Sequence, residues 1–326
     1  MRELSLIQAA YEGLKEEINK DLNIYLMKVE NAFNKKYSGI SDGDSLIDNR
    51  VVNMPKSEAT LISSATGLAL IGMRPVIELN HMENVFLAFS ALVDQAVKLR
   101  YMSGGKLKFP ITYLIVEHDD YYDFDVLHSE NPYSFLLHGG MKVVIPSCAY
   151  DAKGLLISAI RDDDPVAVFL STRVLADKGH VPEEQYTIAL GKADIKRQGS
   201  DITVVATGHL VKTALKVAQQ FEKEGISIEV FDPRSLLPFD KETLEKSISK
   251  TGKVVIIDDS PITCGFSNFV AAIIAEEFFS YLKAPVKIVA RADIPVPFSQ
   301  PLEEYVLPNE EKLVNAIKKI VGEKKN

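Results

Sequence analysis

The chain has 326 residues, which at roughly 150 residues per domain points to about two domains. Hydrophobic residues make up 46% and charged residues 25%, the usage of a globular chain with apolar material for two cores, and this excludes a disordered or collagen-like protein. Lys and Arg number 37 against 45 Asp and Glu, a net charge of −8, which sets aside nucleic acid and anionic membrane as partners.

Leu6, Ala9, Ala10, Leu14 and Ile18 recur at helical spacing over 6–20, and YLMKV (25–29) has the character of a short buried strand. SEATLISSATGLALIG (57–72) predicts a helix rich in small residues, followed by a strand over 75–79. A helix over 84–101, strands at 111–116 and 142–145, a helix over 152–160 and a strand at 166–170 complete the first half. Between 175 and 200 the periodicity dissolves into a charged linker, and we place the domain boundary near Gln185. The second half alternates again: strand 202–206, helix 210–223, strand 226–231, helix 240–250, strand 253–258, helix 267–282, strand 286–289 and a last helix from Asn309. The expectation is an α/β protein of two doubly wound, mostly parallel-sheet domains, 1–185 and 186–326.

Only Cys148 and Cys264 are present, too few for a disulfide framework and without the spacing of a zinc site. No run reaches the roughly 18 apolar residues of a membrane span, so a cytoplasmic protein is expected. Glycine-rich phosphate cradles are absent in both common forms, and Gly104-Gly105 follows a predicted helix as a stop signal. Thr207-Gly208-His209 sits between a strand and a helix, where it is either an anion-binding turn or a tight connection. Glu58 opens the small-residue helix, serving either the helix dipole or as an acid beside a bound heterocycle. His128 and His138 flank the turn signal Asn131-Pro132, and Asp162-Asp163-Asp164 follows a helix as a solvated turn or a cation site.

Several blocks together resemble one family. They are MPKSEATLISSATGLALIGMRPVIE (54–78), DQAVKLRYMSGGK (94–106), HSENP (128–132), MKVVIPSCAYDAKGLLISAIRDDDPV (141–166), FDPRSLLPFDKETLEKSISKTGKVV (231–255) and IPVPFSQPLEEYVLPNEEKL (294–313). Spread over nearly the whole chain, they are similar to the beta subunit of the thiamine diphosphate-dependent first component of 2-oxo acid dehydrogenases, the pyruvate, branched-chain and acetoin group of the transketolase-like superfamily. The resemblance implies a pyrimidine-binding domain followed by a transketolase C-terminal-type domain. It also implies an alpha subunit in a two-alpha, two-beta assembly, with the magnesium and diphosphate held by that partner, and a lipoyl-bearing dihydrolipoyl acyltransferase that accepts the acyl group.

Residue by residue, the resemblance places Glu58 where the family's glutamate shares a proton with the aminopyrimidine. It places His128 at the histidine that positions substrate and transfers protons during lipoyl acylation, with His138 a second histidine after a one-residue gap. Glu30 keeps the place of an early cofactor-side acid, Phe86 and Phe89 are candidates for the ring that packs on the pyrimidine, and Ala159, Asp162 and Asp164 match a potassium-binding turn. The chain departs from the pattern at EHDDYYDFDVL (117–127), acidic and aromatic where the family carries glycines. The leading expectation is a catalytic beta subunit decarboxylating a 2-oxo acid. Its rivals are a noncatalytic or repurposed subunit that keeps the fold, and the C-terminal half of a split transketolase-like enzyme.

Overall fold

The computed structural model describes residues 2–29, 49–79, 82–117 and 131–322. They form two compact units. The first takes the described residues up to 117 together with 135–190, and the second takes 131–134 together with 191–322.

In the first unit β1 (Arg2–Ser5) leads into a helix, Leu6–Lys20, whose amino end is closed by a capping box. The Gln8 amide donates to Ser5 Oγ at 3.3 Å and the Ser5 amide to Gln8 Oε1 at 3.0 Å. Six strands follow: β2 (Ile24–Val29), β3 (Val51–Met54), β4 (Arg74–Leu79), β5 (Thr112–Glu117), β6 (Lys142–Val144) and β7 (Val166–Ser171). They line up as β6-β7-β5-β4-β2-β3, with every neighbouring pair parallel. Their near-continuous apolar sequences follow from burial on both faces. Leu26, Val76, Leu114, Val116, Val144 and Val168 face a cluster shared with the helices Leu6–Lys20 and Ala149–Arg161. The alternate residues Ile77, Tyr113, Ile115 and Phe169 are also buried. The helix Glu58–Leu70 packs on β2 and β4 outside that cluster.

The charged segment after Leu175 contains β8 (Lys178–Val181), which pairs antiparallel with β1. The sequence pattern missed both, because two four-residue strands paired only with each other carry no extended apolar alternation. The helix expected over 84–101 is real but irregular: a 3-10 turn at Met82–Ala88, a π-wound stretch at Ser90–Val97 and an α-helical end at Lys98–Met102. The wider turn lets the consecutive residues Leu92 and Val93 both point inward. Gly104 and Gly105 then stop the helix in left-handed conformations, their amides donating to Tyr101 and Arg100 carbonyls at 2.9 Å each.

In the second unit β9 (Asp194–Arg197), β10 (Ile202–Ala206), β11 (Ile228–Asp232), a short β12 (Ser235–Leu237), β13 (Val254–Pro261) and β14 (Lys287–Arg291) succeed one another. The sheet order is β14-β13-β10-β11-β9, parallel except for β9. The helices Leu210–Glu222 and Glu310–Gly322 cover one face through Val217, Phe221, Leu313 and Ile317. The helix Lys241–Thr251 closes against β10 and β11, where Thr203 Oγ1 meets Ser247 Oγ at 2.7 Å and Thr251 Oγ1 at 2.8 Å. Among the described residues no helix is long and apolar enough to cross a membrane.

Candidate active site

In a parallel sheet the loops that carry chemistry leave the carboxyl ends of the strands. In the first unit β3 ends at Met54, and Pro55-Lys56-Ser57 turns the chain into the helix that Glu58 opens. The Ser57 amide donates to the Pro55 carbonyl at 2.7 Å, and Ser57 Oγ accepts from the Thr60 amide at 3.4 Å, so the serine caps the helix. Leu61, Ile62, Ala65 and Ala69 are the buried face. Glu58 is left half-buried in the first turn, with its carboxylate at the positive end of the helix dipole. No described residue gives that carboxylate a hydrogen bond or an ion pair.

The neighbouring β4 ends at Leu79 and leads to the turn Met82–Ala88, which packs on the Glu58 helix. Val85 and Ala88 pin this turn into the core, at 0% and 3% exposure, while Phe86 stands out at 44%. Its ring meets Phe135 edge-to-face with centroids 5.0 Å apart. Phe89 is half-buried at the start of the π-wound stretch. Glu58 and Phe86 therefore follow the carboxyl ends of strands on either side of β2. Glu30 follows β2 itself, and His128 lies in the connection after β5; both residues are outside the described ones, as is the acidic loop from 118 onward.

The other expected residues lie further along the chain, in the connections before β6 and β7. His138 is exposed at the end of the helix Tyr133–His138, just before β6 begins. Phe135, one turn earlier in that helix, is the residue that meets Phe86. Asp162 and Asp164 lie in the turn before β7. Lys142 Nζ donates to both Asp162 carboxylate oxygens at 2.8 Å and lies 3.0 Å from Asp164 Oδ2, while Arg100 also pairs with Asp164. Arg74 Nη1 donates to the Ile160 and Asp162 carbonyls at 3.1 and 3.0 Å, and Asp163 is paired with Arg74 and Lys108. Burial opposes ionisation of Asp164, but the hydrogen bonds from Lys142 and Arg100 prevail and hold its carboxyl below the usual range. Burial likewise works against the Lys142 ammonium and is outweighed by the two aspartates, so its pKa rises. These carboxylates are already engaged by cationic side chains and do not fit a metal ion as side-chain ligands. The Ala159 carbonyl accepts from the Asp162 amide at 3.2 Å.

In the second unit Thr207-Gly208-His209 is a tight connection, with Gly208 left-handed at φ 51° and the Thr207 hydroxyl donating to Asp258 Oδ1 at 3.1 Å. Its partner Asp258 also accepts from the Tyr133 hydroxyl, and neither Asp258 nor Tyr133 was singled out from the sequence. A buried polar contact between distant segments carries no periodic signal, and only the fold shows that these residues meet.

Model matches and relatives agree with this architecture. Residues 3–177 match the transketolase pyrimidine-binding domain and residues 191–313 the transketolase C-terminal domain. The beta subunit of the acetoin:2,6-dichlorophenolindophenol oxidoreductase of Bacillus subtilis is 37% identical, covering 99% of this chain and 98% of that protein. The pyruvate dehydrogenase E1 component beta subunit of Staphylococcus aureus is 34% identical over 98% of each chain. Among solved structures, a split-gene transketolase described as an inactive beta4 tetramer superposes with a TM-score of 0.81 at 22% identity over 98% of both chains, a likeness of fold. The chain thus belongs to the transketolase-like family, and within it to the beta subunits of the thiamine diphosphate-dependent first component of 2-oxo acid dehydrogenases.

Proposed function

We propose that this chain forms half of a thiamine diphosphate site and, with an alpha subunit, decarboxylates a small 2-oxo acid and passes the acyl group to a lipoyl carrier. The observation that carries the reading is Glu58, an accessible carboxylate at the amino end of a small-residue helix and on the carboxyl edge of a parallel sheet. The residues fit an aminopyrimidine: a carboxylate oxygen free of described partners accepts or returns a ring proton, and the exposed Phe86 offers an apolar face on the same edge. When bound, the cofactor supplies the electron sink for cleavage beside a carbonyl. His128, eleven residues beyond the end of β5, is the group assigned to proton transfer during acylation. Magnesium and diphosphate are assigned to the alpha subunit, and a monovalent cation at the Ala159–Asp164 turn would need main-chain oxygens.

A partner is further supported by exposed apolar side chains on both units, among them Ile71, Leu87 and Tyr101 on the first and Phe279, Phe298 and Tyr305 on the second. The acidic, glycine-free sequence at 117–127 favours one rival, a repurposed subunit, because five carboxylates repel an anionic substrate. Native mass spectrometry of the chain purified from its host, followed by dye reduction with pyruvate, branched-chain 2-oxo acids and acetoin, tests the choice. A two-plus-two assembly that holds thiamine diphosphate and turns over one of these substrates is expected. A self-associated chain with neither partner nor cofactor would establish the rival.

A further inference from the structure

In the second sheet the chain runs from β10 to β11 on one side and then returns to β13 on the other side of β10. The topological switch therefore lies between β10 and β13, and the crevice at their carboxyl ends is where doubly wound sheets ordinarily take a ligand. Here that crevice is lined by Thr207 after β10 and by Asp258 and Asp259 late in β13, where Ala206 is in register with Ile257. It is filled by the chain itself. Asn131 Nδ2 donates to Asp259 Oδ2 at 2.7 Å, and the Tyr133 hydroxyl donates to Asp258 Oδ1. Asp258 also accepts from Thr207 Oγ1 at 3.1 Å, from Ser260 Oγ and from the Ser267 amide at 3.2 Å. Every one of these partners is a donor, so both oxygens of the carboxylate act as acceptors at the amino end of the helix Phe266–Glu277.

The four side chains that meet are 7% (Asn131), 2% (Tyr133), 0% (Asp258) and 7% (Asp259) exposed. The surroundings are built to keep them there. A side chain at Gly265 would place its Cβ 2.2 Å from the Pro261 carbonyl oxygen and 2.3 Å from Ser260 Oγ, so only glycine lets Ser260 reach Asp258 and the Phe266 amide together.

We propose that the switch-point crevice of the second unit is a clamp for the chain segment that follows the HSENP histidine, and that Asn131 and Tyr133 are positioning residues held by Asp259 and Asp258. Three residues of extended chain span about 10 Å at most, so fixing Asn131 limits where His128 can stand. That last step rests on the function proposed above, whereas the clamp does not.

The test is amide hydrogen exchange on the intact assembly, with turnover measured in parallel, for Asn131→Asp, Asp259→Asn and the double variant, together with Tyr133→Phe. Asn131→Asp sets two carboxylates against each other, and exchange across 131–138 is expected to rise about tenfold or more, with kcat falling more than KM changes. The double variant reverses donor and acceptor and is expected to restore exchange and kcat to within about threefold, which a general packing role would not do. Tyr133→Phe, which keeps the ring and removes one donor, is expected to give a smaller rise in exchange at the same residues. Unchanged exchange in Asn131→Asp, or no rescue in the double variant, overturns the clamp. Faster exchange with unaltered kcat overturns the positioning role and leaves the clamp standing, so the failure of one reading is separable from that of the other.

Discussion

Replacing Glu58 by glutamine separates a catalytic carboxylate from a helix-capping one. The side chain is half-buried, sits in the first turn of a thirteen-residue helix and has no described hydrogen-bond partner, so its structural contribution is the charge–dipole term alone. That term amounts to about 0.3–1 kcal/mol, which in a domain of this size lowers Tm by roughly 1–4 °C. Loss of a proton-sharing group costs about 100- to 10,000-fold in rate, or roughly 3–6 kcal/mol of barrier. The two magnitudes differ enough to be told apart. The assay is substrate-dependent reduction of dichlorophenolindophenol by the reconstituted complex, with a thermal melt of the same preparation. The expected result is a loss of turnover of at least about 100-fold with a nearly unchanged melt. Turnover within about threefold of the parent would refute the assignment, since no acid–base step of that importance could then pass through this oxygen.

Other perturbations probe the frame around the site. Lys153 has no exposed side-chain surface and lies 2.7 Å from both Glu12 and Glu16, joining the helices Leu6–Lys20 and Ala149–Arg161. Lys153→Met leaves two partly buried acids one turn apart and should cost about 3 kcal/mol, read as a fall in Tm of roughly 6–12 °C. The carboxyls of Asp163, chiefly through its hydrogen bond from Lys108, and of Asp164 are held below their ordinary value of 3.8. Their depressed pKa values mean that this stability is present above pH 3.8 and is lost as pH falls further, through the folded values. Lys142→Met should therefore flatten the acid limb of a Tm-against-pH curve, and an unchanged limb would remove Lys142 as its cause. His128→Ala should impair acylation of a lipoyl domain more than dye reduction, and equal losses would show that the histidine serves an earlier step.

The sequence by itself determined the class of fold. Runs such as VAVFL and KVVIID are apolar at consecutive positions because a parallel strand covered on both faces needs them so, and small-residue helices between them mark the crossovers. It also singled out Glu58, since Pro, Ser and an acid ahead of an apolar periodic stretch announce a helix start whatever the helix packs against. Short pairings such as β1 with β8 escaped it, because four residues with one partner strand impose no repeat. Tertiary structure alone decided which chemically able residues meet. Strand direction places Glu58 and Phe86 on one edge of the first sheet and the Asp162–Asp164 turn on the other, though these stretches are equally polar or aromatic in sequence. The same holds for Asn131 and Tyr133 with Asp259 and Asp258, more than 120 residues apart in the chain. A buried hydrogen bond between distant segments leaves no local pattern, because its energy depends on a partner that only the fold brings within reach.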